Sequence, residues 1–137
     1  MAQVPNPLRI LLLEDDADLA DMLVRFFEGH GVEVARATDG QAAWDLLQAA
    51  HPHVILTDLM VPGLSGAEFC GMVRGDPALA SIPIIAMSAS MSTDEQAGEM
   101  QVILGADLAV PKPLQLQALL GTIQRLATDG RPASAPA

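Results

Sequence analysis

The sequence predicts an α/β domain: a doubly wound parallel sheet of five strands with five helices. Three observations predict it. Short apolar runs of strand length alternate with longer runs whose apolar residues recur at helical spacing. The first and third strand-like runs are almost wholly apolar, as strands covered on both faces must be. Polar residues able to do chemistry stand where four of the strand-like runs stop: Glu14 and Asp15, Asp58, Ser88, and Lys112.

The first strand is expected over 8–13 and the first helix over 17–29. Asp16 is placed to cap that helix. Leu19, Met22, Leu23, Phe26 and Phe27 follow the spacing of one buried stripe, and Gly29 and Gly31 end it. A strand over 32–36 and a helix over 40–50 follow, with Trp44 partly exposed. His51 and His53 flank Pro52 ahead of the third strand, over 53–57, and read as loop residues. The third helix, over 65–75, opens on a capping box from Ser65 to Glu68. Cys70 falls on its apolar pattern and is assigned to the core. The fourth strand is expected over 83–87, and the fourth helix, over 93–104, opens on a second capping box from Ser92 to Glu95. The fifth strand spans 107–110. The last helix, over 114–127, repeats the apolar spacing at Leu116, Leu119, Leu120 and Ile123. Most methionines fall on core stripes. Residues 1–7 and 128–137 are rich in Pro, Ala and polar residues and are expected to be mobile, leaving one domain over 8–127. The Ser/Pro/Ala tail reads equally as a natural end or as the stub of a linker.

Composition sets further bounds. Among 137 residues, 50% are apolar and only 3% aromatic, so the core must be aliphatic. A domain of this size needs no disulfide, and the single cysteine could not form one internally. The formal net charge of −10 argues against direct contact with nucleic acid or an anionic membrane. No signal-peptide pattern and no apolar run of spanning length occur, which leads to the expectation of a cytoplasmic protein.

The ends of parallel strands share one edge, where ligands bind. Three acids, a hydroxyl and a lysine gathered there suit a hard cation beside an anionic phosphoryl group. Mg²⁺ takes oxygen ligands, usually one or two carboxylates completed by water and phosphate oxygens. A carboxylate such as Asp58 is a competent nucleophile toward phosphorus.

Glu14-Asp15, the run Asp58-Leu-Met-Val-Pro-Gly63, Ser88-Ala89 and Lys112-Pro113 together resemble the receiver domain of bacterial two-component response regulators, over about Leu8 to Ala127. The resemblance implies a flavodoxin-like (β/α)5 fold and a single-domain regulator. Asp58 would accept a phosphoryl group from a sensor histidine kinase or phosphotransfer protein, and a downstream protein target would read it. It implies Mg²⁺ held directly by Asp15 and Asp58, through water by Glu14, and by the backbone carbonyl of Met60. Lys112 and the hydroxyl of Ser88 would contact the phosphoryl oxygens. Ser90 and Met60 would border the phosphate and influence its lifetime. A cis Lys112–Pro113 bond is implied as well. Such a domain assists its own phosphorylation and hydrolysis but is not an enzyme with a separate substrate. It would be a monomer or a weak dimer.

Two departures bear on signalling. The family usually has Tyr or Phe three residues before the lysine, where this chain has Ala109, and Pro111 removes an amide from the last strand. Both fall on the surface that receivers use for dimers and partners. Two other roles stay open on these residues: a phosphorelay intermediate that passes phosphate to another histidine, and a phosphate-independent binding module. A flavin-binding protein of similar fold is disfavoured, because acids stand where its phosphate-binding loop belongs.

Overall fold

A computed structural model describes residues 4–58, 66–88 and 105–131, with the backbone alone at 66, 67 and 88. Its strands are β1 (Leu8–Leu13), β2 (Val32–Ala37), β3 (Val54–Asp58), β4 (Ile84–Ser88) and β5 (Leu108–Pro111). Among the described residues the helices are α1 (Ala17–Gly29), α2 (Gly40–Ala49), α3 (Gly66–Gly75) and α4 (Leu116–Asp129). The helix expected over 93–104, both capping serines Ser65 and Ser92, Met60 and Ser90 lie outside the described residues.

All five strands form one sheet in the order β2-β1-β3-β4-β5, and every neighbouring pair is parallel. Strand order reverses between β1 and β3, so their carboxyl ends flank a crevice. Strand side chains alternate between the faces with period two. Leu11, Leu13, Ile55, Ile84 and Ala86 pack toward α2 and α3, against Leu47, Phe69 and Val73. Ile10, Leu12, Leu56, Ile85 and Met87 pack toward α1 and α4, against Leu23, Phe27, Leu120 and Ile123. Two aliphatic cores therefore clamp β1 and β3 from both sides, which explains their near-total burial.

Local signals act largely as expected. Asp16 caps α1 by accepting from the amides of Asp18 and Leu19, at 3.0 and 3.2 Å. Asp39 does the same for α2 through the Ala42 amide at 2.8 Å. Gly31, with φ 81°, turns the chain after α1 into β2. Cys70 is fully buried, and burial pushes its thiol up to about 11.

Some expectations need correction. Met22 is 46% exposed, off the α1 stripe. The buried face of α1 centres on Ala20, Leu23 and Phe27, and Met22 points about 100° away from Leu23. Met72 on α3 is exposed too, so of the described methionines only Met87 is core. Strands β3, β4 and β5 each begin and end one residue later than the apolar runs suggest. Asp58 and Ser88 are therefore the final residues of their strands. Helix α4 starts at Leu116 and runs to Asp129, past the expected end at 127.

Candidate functional site

Each acidic or basic group of the site is delivered by a strand end. The Glu14 amide donates to Ala37 O at 3.1 Å, which extends the β1–β2 ladder by one bond and fixes Glu14 just past β1. Asp15 follows it, exposed, before the Asp16 cap. Asp58 ends β3 opposite Met87 in the register with β4. Lys112 follows β5, ahead of a cis bond to Pro113. Ser88 ends β4 and pairs with Pro111.

Glu14, Asp15 and Asp58 each offer a carboxylate oxygen, and these oxygens lie within 4.8 Å of one another. Lys112 Nζ donates to Asp58 Oδ2 at 2.7 Å and to Glu14 Oε1 at 2.9 Å. The second oxygen of Glu14 accepts the Asp16 amide at 3.0 Å. Glu14 is wholly buried and Asp58 6% exposed, while Asp15 opens the cluster to solvent. Burial holds the Glu14 carboxyl above its ordinary range, against the opposing bonds from Lys112 and the Asp16 amide, and the charge of Asp58 adds to the rise. For Lys112, burial works toward a lower value. Its bonds to Asp58 and Glu14 outweigh burial and hold it above the ordinary value, so it stays an ammonium at neutral pH.

The donor set suits a divalent hard cation. All three candidate ligands are oxygen donors, and when ionised they carry three negative charges against one from Lys112. The two uncompensated charges are what a dication neutralises. Asp15 offers the open approach.

The structure brings together Glu14, Asp15, Asp58 and Lys112 and places Ser88 at the same sheet edge. Met60 lies outside the described residues. The sequence reading set Lys112 against the phosphoryl oxygens and did not give its bond to buried Glu14. The signal was available: an acid directly after an almost wholly apolar, buried strand has no solvent to charge it and needs a cation nearby. The sequence reading also missed a second charged cluster, at the opposite end of the sheet, formed by Arg74, Asp107 and Arg131.

This sheet order, with acids and a lysine at its carboxyl edge, defines a flavodoxin-like α/β domain, and comparison gives the family. The chain belongs to the response regulator receiver domain family, whose model matches residues 10–124. It is 34% identical over 122 residues to the response regulator MprA of Mycolicibacterium vanbaalenii, covering 88% of this chain and 50% of that protein. It is 32% identical over 120 residues to the DNA-binding response regulator MtrA of Mycobacterium tuberculosis H37Rv, covering 85% of this chain and 49% of that protein. The chain thus spans about half the length of these curated relatives. Among solved structures, the receiver domain of a DNA-binding response regulator from Colwellia psychrerythraea 34H aligns with a TM-score of 0.77 and 36% identity, covering 87% of this chain and 97% of that one. The chemotaxis response regulator CheY4 of Vibrio cholerae aligns with a TM-score of 0.78 and 28% identity, covering 87% of this chain and 98% of that one. The protein is therefore a receiver module of a two-component response regulator. Among the described residues no helix is long and apolar enough to cross a membrane.

Proposed function

We propose that Asp58 is the phosphoacceptor of this receiver and that a sensor histidine kinase or a phosphotransfer protein supplies the phosphoryl group. The observation that carries this reading is the convergence of Asp58, Lys112, Glu14 and Asp15 at one sheet edge, with Lys112 Nζ 2.7 Å from Asp58 Oδ2. An Asp58 carboxylate oxygen forms a bond to phosphorus while the phosphorus–nitrogen bond of the donor phosphohistidine breaks. The bonding pair leaves with the imidazole. Asp15 and Asp58 would hold Mg²⁺ directly and Glu14 through water, with the backbone carbonyl of Met60, outside the described residues, as the further protein ligand. When bound, the ion neutralises phosphoryl oxygens and so lets an anion approach a carboxylate.

In the phosphoryl-free site Lys112 offsets repulsion between Asp58 and Glu14. After transfer it moves its contact to a phosphoryl oxygen as a point charge. The Ser88 hydroxyl would donate to another oxygen, and Met60 and Ser90, outside the described residues, would border the phosphate by likeness to the family. The phosphorylated form is read by a downstream protein. MprA and MtrA are roughly twice this chain's length, and MtrA is named for DNA binding. With a formal charge of −10, the receiver itself is suited to protein contacts rather than nucleic acid. The role belongs in the cytoplasm, where kinases charge histidines from ATP, with the domain a monomer or weak dimer.

The test is transfer from a phosphorylated histidine donor with Mg²⁺, followed by intact mass. Wild type gains one phosphoryl group, whereas Asp58→Asn, or wild type in EDTA, gains none. A variant that is phosphorylated like the wild type removes Asp58 from the role.

A further inference from the structure

At the amino end of the sheet, far from Asp58, a second charged cluster is built into the fold. Asp107, immediately before β5, has a fully buried side chain. Its Oδ2 accepts the Ile84 amide at 2.8 Å and Arg74 Nη2 at 2.9 Å, and its Oδ1 accepts Arg131 Nε at 2.8 Å. Arg74 reaches in from α3 and also donates to the carbonyls of Gly105, Ala80 and Ile82, at 2.8–2.9 Å. Arg131 arrives from the other direction: α4 ends, Gly130 adopts φ 77°, and the chain turns back toward the sheet. Arg131 keeps 28% of its side chain exposed, against 16% for Arg74. Arg131, which also donates to Ala80 O at 3.4 Å, is the more exposed arm of the cluster.

Strand β5 connects this cluster to the site. It is four residues long, pairs among the described residues with β4 alone, and ends in Pro111, which has no amide. Such a strand has little ladder of its own to hold its axial position. Beside its pairing with β4, charged residues stand at both ends: Asp107 before the start and Lys112 just after the end, about 16 Å apart at strand rise. The closed Arg131–Asp107 contact occurs together with Lys112 paired to Asp58.

We propose that the Arg131–Asp107 ion pair is a latch that holds β5 in the phosphoryl-free position of Lys112, so that phosphorylation of Asp58 loosens the segment following α4. This rests on the phosphoacceptor reading above. Linkage makes the effect reciprocal: if a phosphoryl mimic weakens the latch, removing the latch must strengthen binding of the mimic by the same factor. The segment that Arg131 ties down is the one through which anything carboxy-terminal to the receiver would sense its state. Such coupling needs no aromatic at position 109.

The test uses the full chain with Mg²⁺ and beryllofluoride, comparing wild type, Arg131→Ala and the charge-retaining Arg131→Lys. The Ile84 amide, which reports on Asp107, is followed by NMR together with the affinity for beryllofluoride. We expect Arg131→Ala to bind about fivefold tighter, at the lower end of typical couplings. Arg131→Lys should fall near wild type, and the wild-type Ile84 amide should shift on binding. Equal affinities in all three proteins with a stationary Ile84 amide would overturn the latch and leave the phosphoacceptor reading intact. No binding by wild type would remove both. If Arg131→Ala does not fold, the wild-type Ile84 amide decides: a shift on binding supports the latch and a stationary amide overturns it.

Discussion

Lys112 serves two carboxylates, Asp58 at 2.7 Å and Glu14 at 2.9 Å, while keeping 20% of its side chain exposed. Removing it leaves two buried acids facing one another. Breaking a fully buried pair typically costs about 3–5 kcal/mol. Partial exposure and the option of protonating a carboxyl reduce that here, so Lys112→Ala should lose about 1–3 kcal/mol in urea unfolding at neutral pH without Mg²⁺. His53 gives a pH prediction. Its Nδ1 accepts the Arg9 amide at 3.0 Å, and burial, followed by the Arg9 charge, holds its pKa below the ordinary 6.5. The folded state therefore disfavours the proton. The stability this group contributes is present above 6.5 and is lost as pH falls through that value toward the folded pKa. The melting-temperature advantage of wild type over His53→Gln should accordingly shrink between about pH 7.5 and pH 5.5. At this scale the site was legible because Asp58 and Lys112 each interrupt an apolar run at a strand end. The Arg74–Asp107–Arg131 cluster was not. Its members lie far apart in sequence, Asp107 looks like an ordinary loop acid, and Arg131 sits in a stretch that composition marks as tail.

Helices α1 and α2 each begin at an aspartate whose side chain takes up amides of the first turn. Asp39 is the cleaner test, since it stands outside the acidic site. Asp39→Ala should cost about 1 kcal/mol in chemical unfolding and leave phosphorylation unchanged. Element order and type were readable from period two against period 3.6. Boundaries were less so, because backbone hydrogen bonds rather than apolar runs decide where a strand stops. The His53 amide bonds to Arg9 O just ahead of β3, and the Asp107 amide bonds to Ile84 O just ahead of β5. Exposure of Met22 shows a related limit. Helical spacing gives the direction of a stripe but not its width, which is set by what α1 packs against.

Two charged clusters stand at opposite edges of the sheet: acids and Lys112 at the carboxyl edge, and Arg74, Asp107 and Arg131 at the amino edge. The carboxyl-edge cluster carries excess negative charge in the folded state only, so a dication that binds there stabilises folding by mass action. Millimolar Mg²⁺ should raise the melting temperature of wild type, and that rise should be lost in Asp15→Asn. An equal rise in both proteins would place the ion elsewhere. Sheet topology made the carboxyl-edge cluster predictable, since parallel strands bring all their ends to common edges. It could not foretell how β5, with Ala109 and Pro111, passes on a signal.

The central claim is that Asp58 carries the phosphoryl group, and mapping the modified residue tests it most directly. After phosphorylation with Mg²⁺, borohydride reduction converts an acyl phosphate to the corresponding alcohol, and peptide mass spectrometry locates it. The account predicts homoserine at position 58 and at no other aspartate. Reduction at Asp15 or Asp16, or an unmodified peptide containing Asp58 in phosphorylated protein, would contradict it.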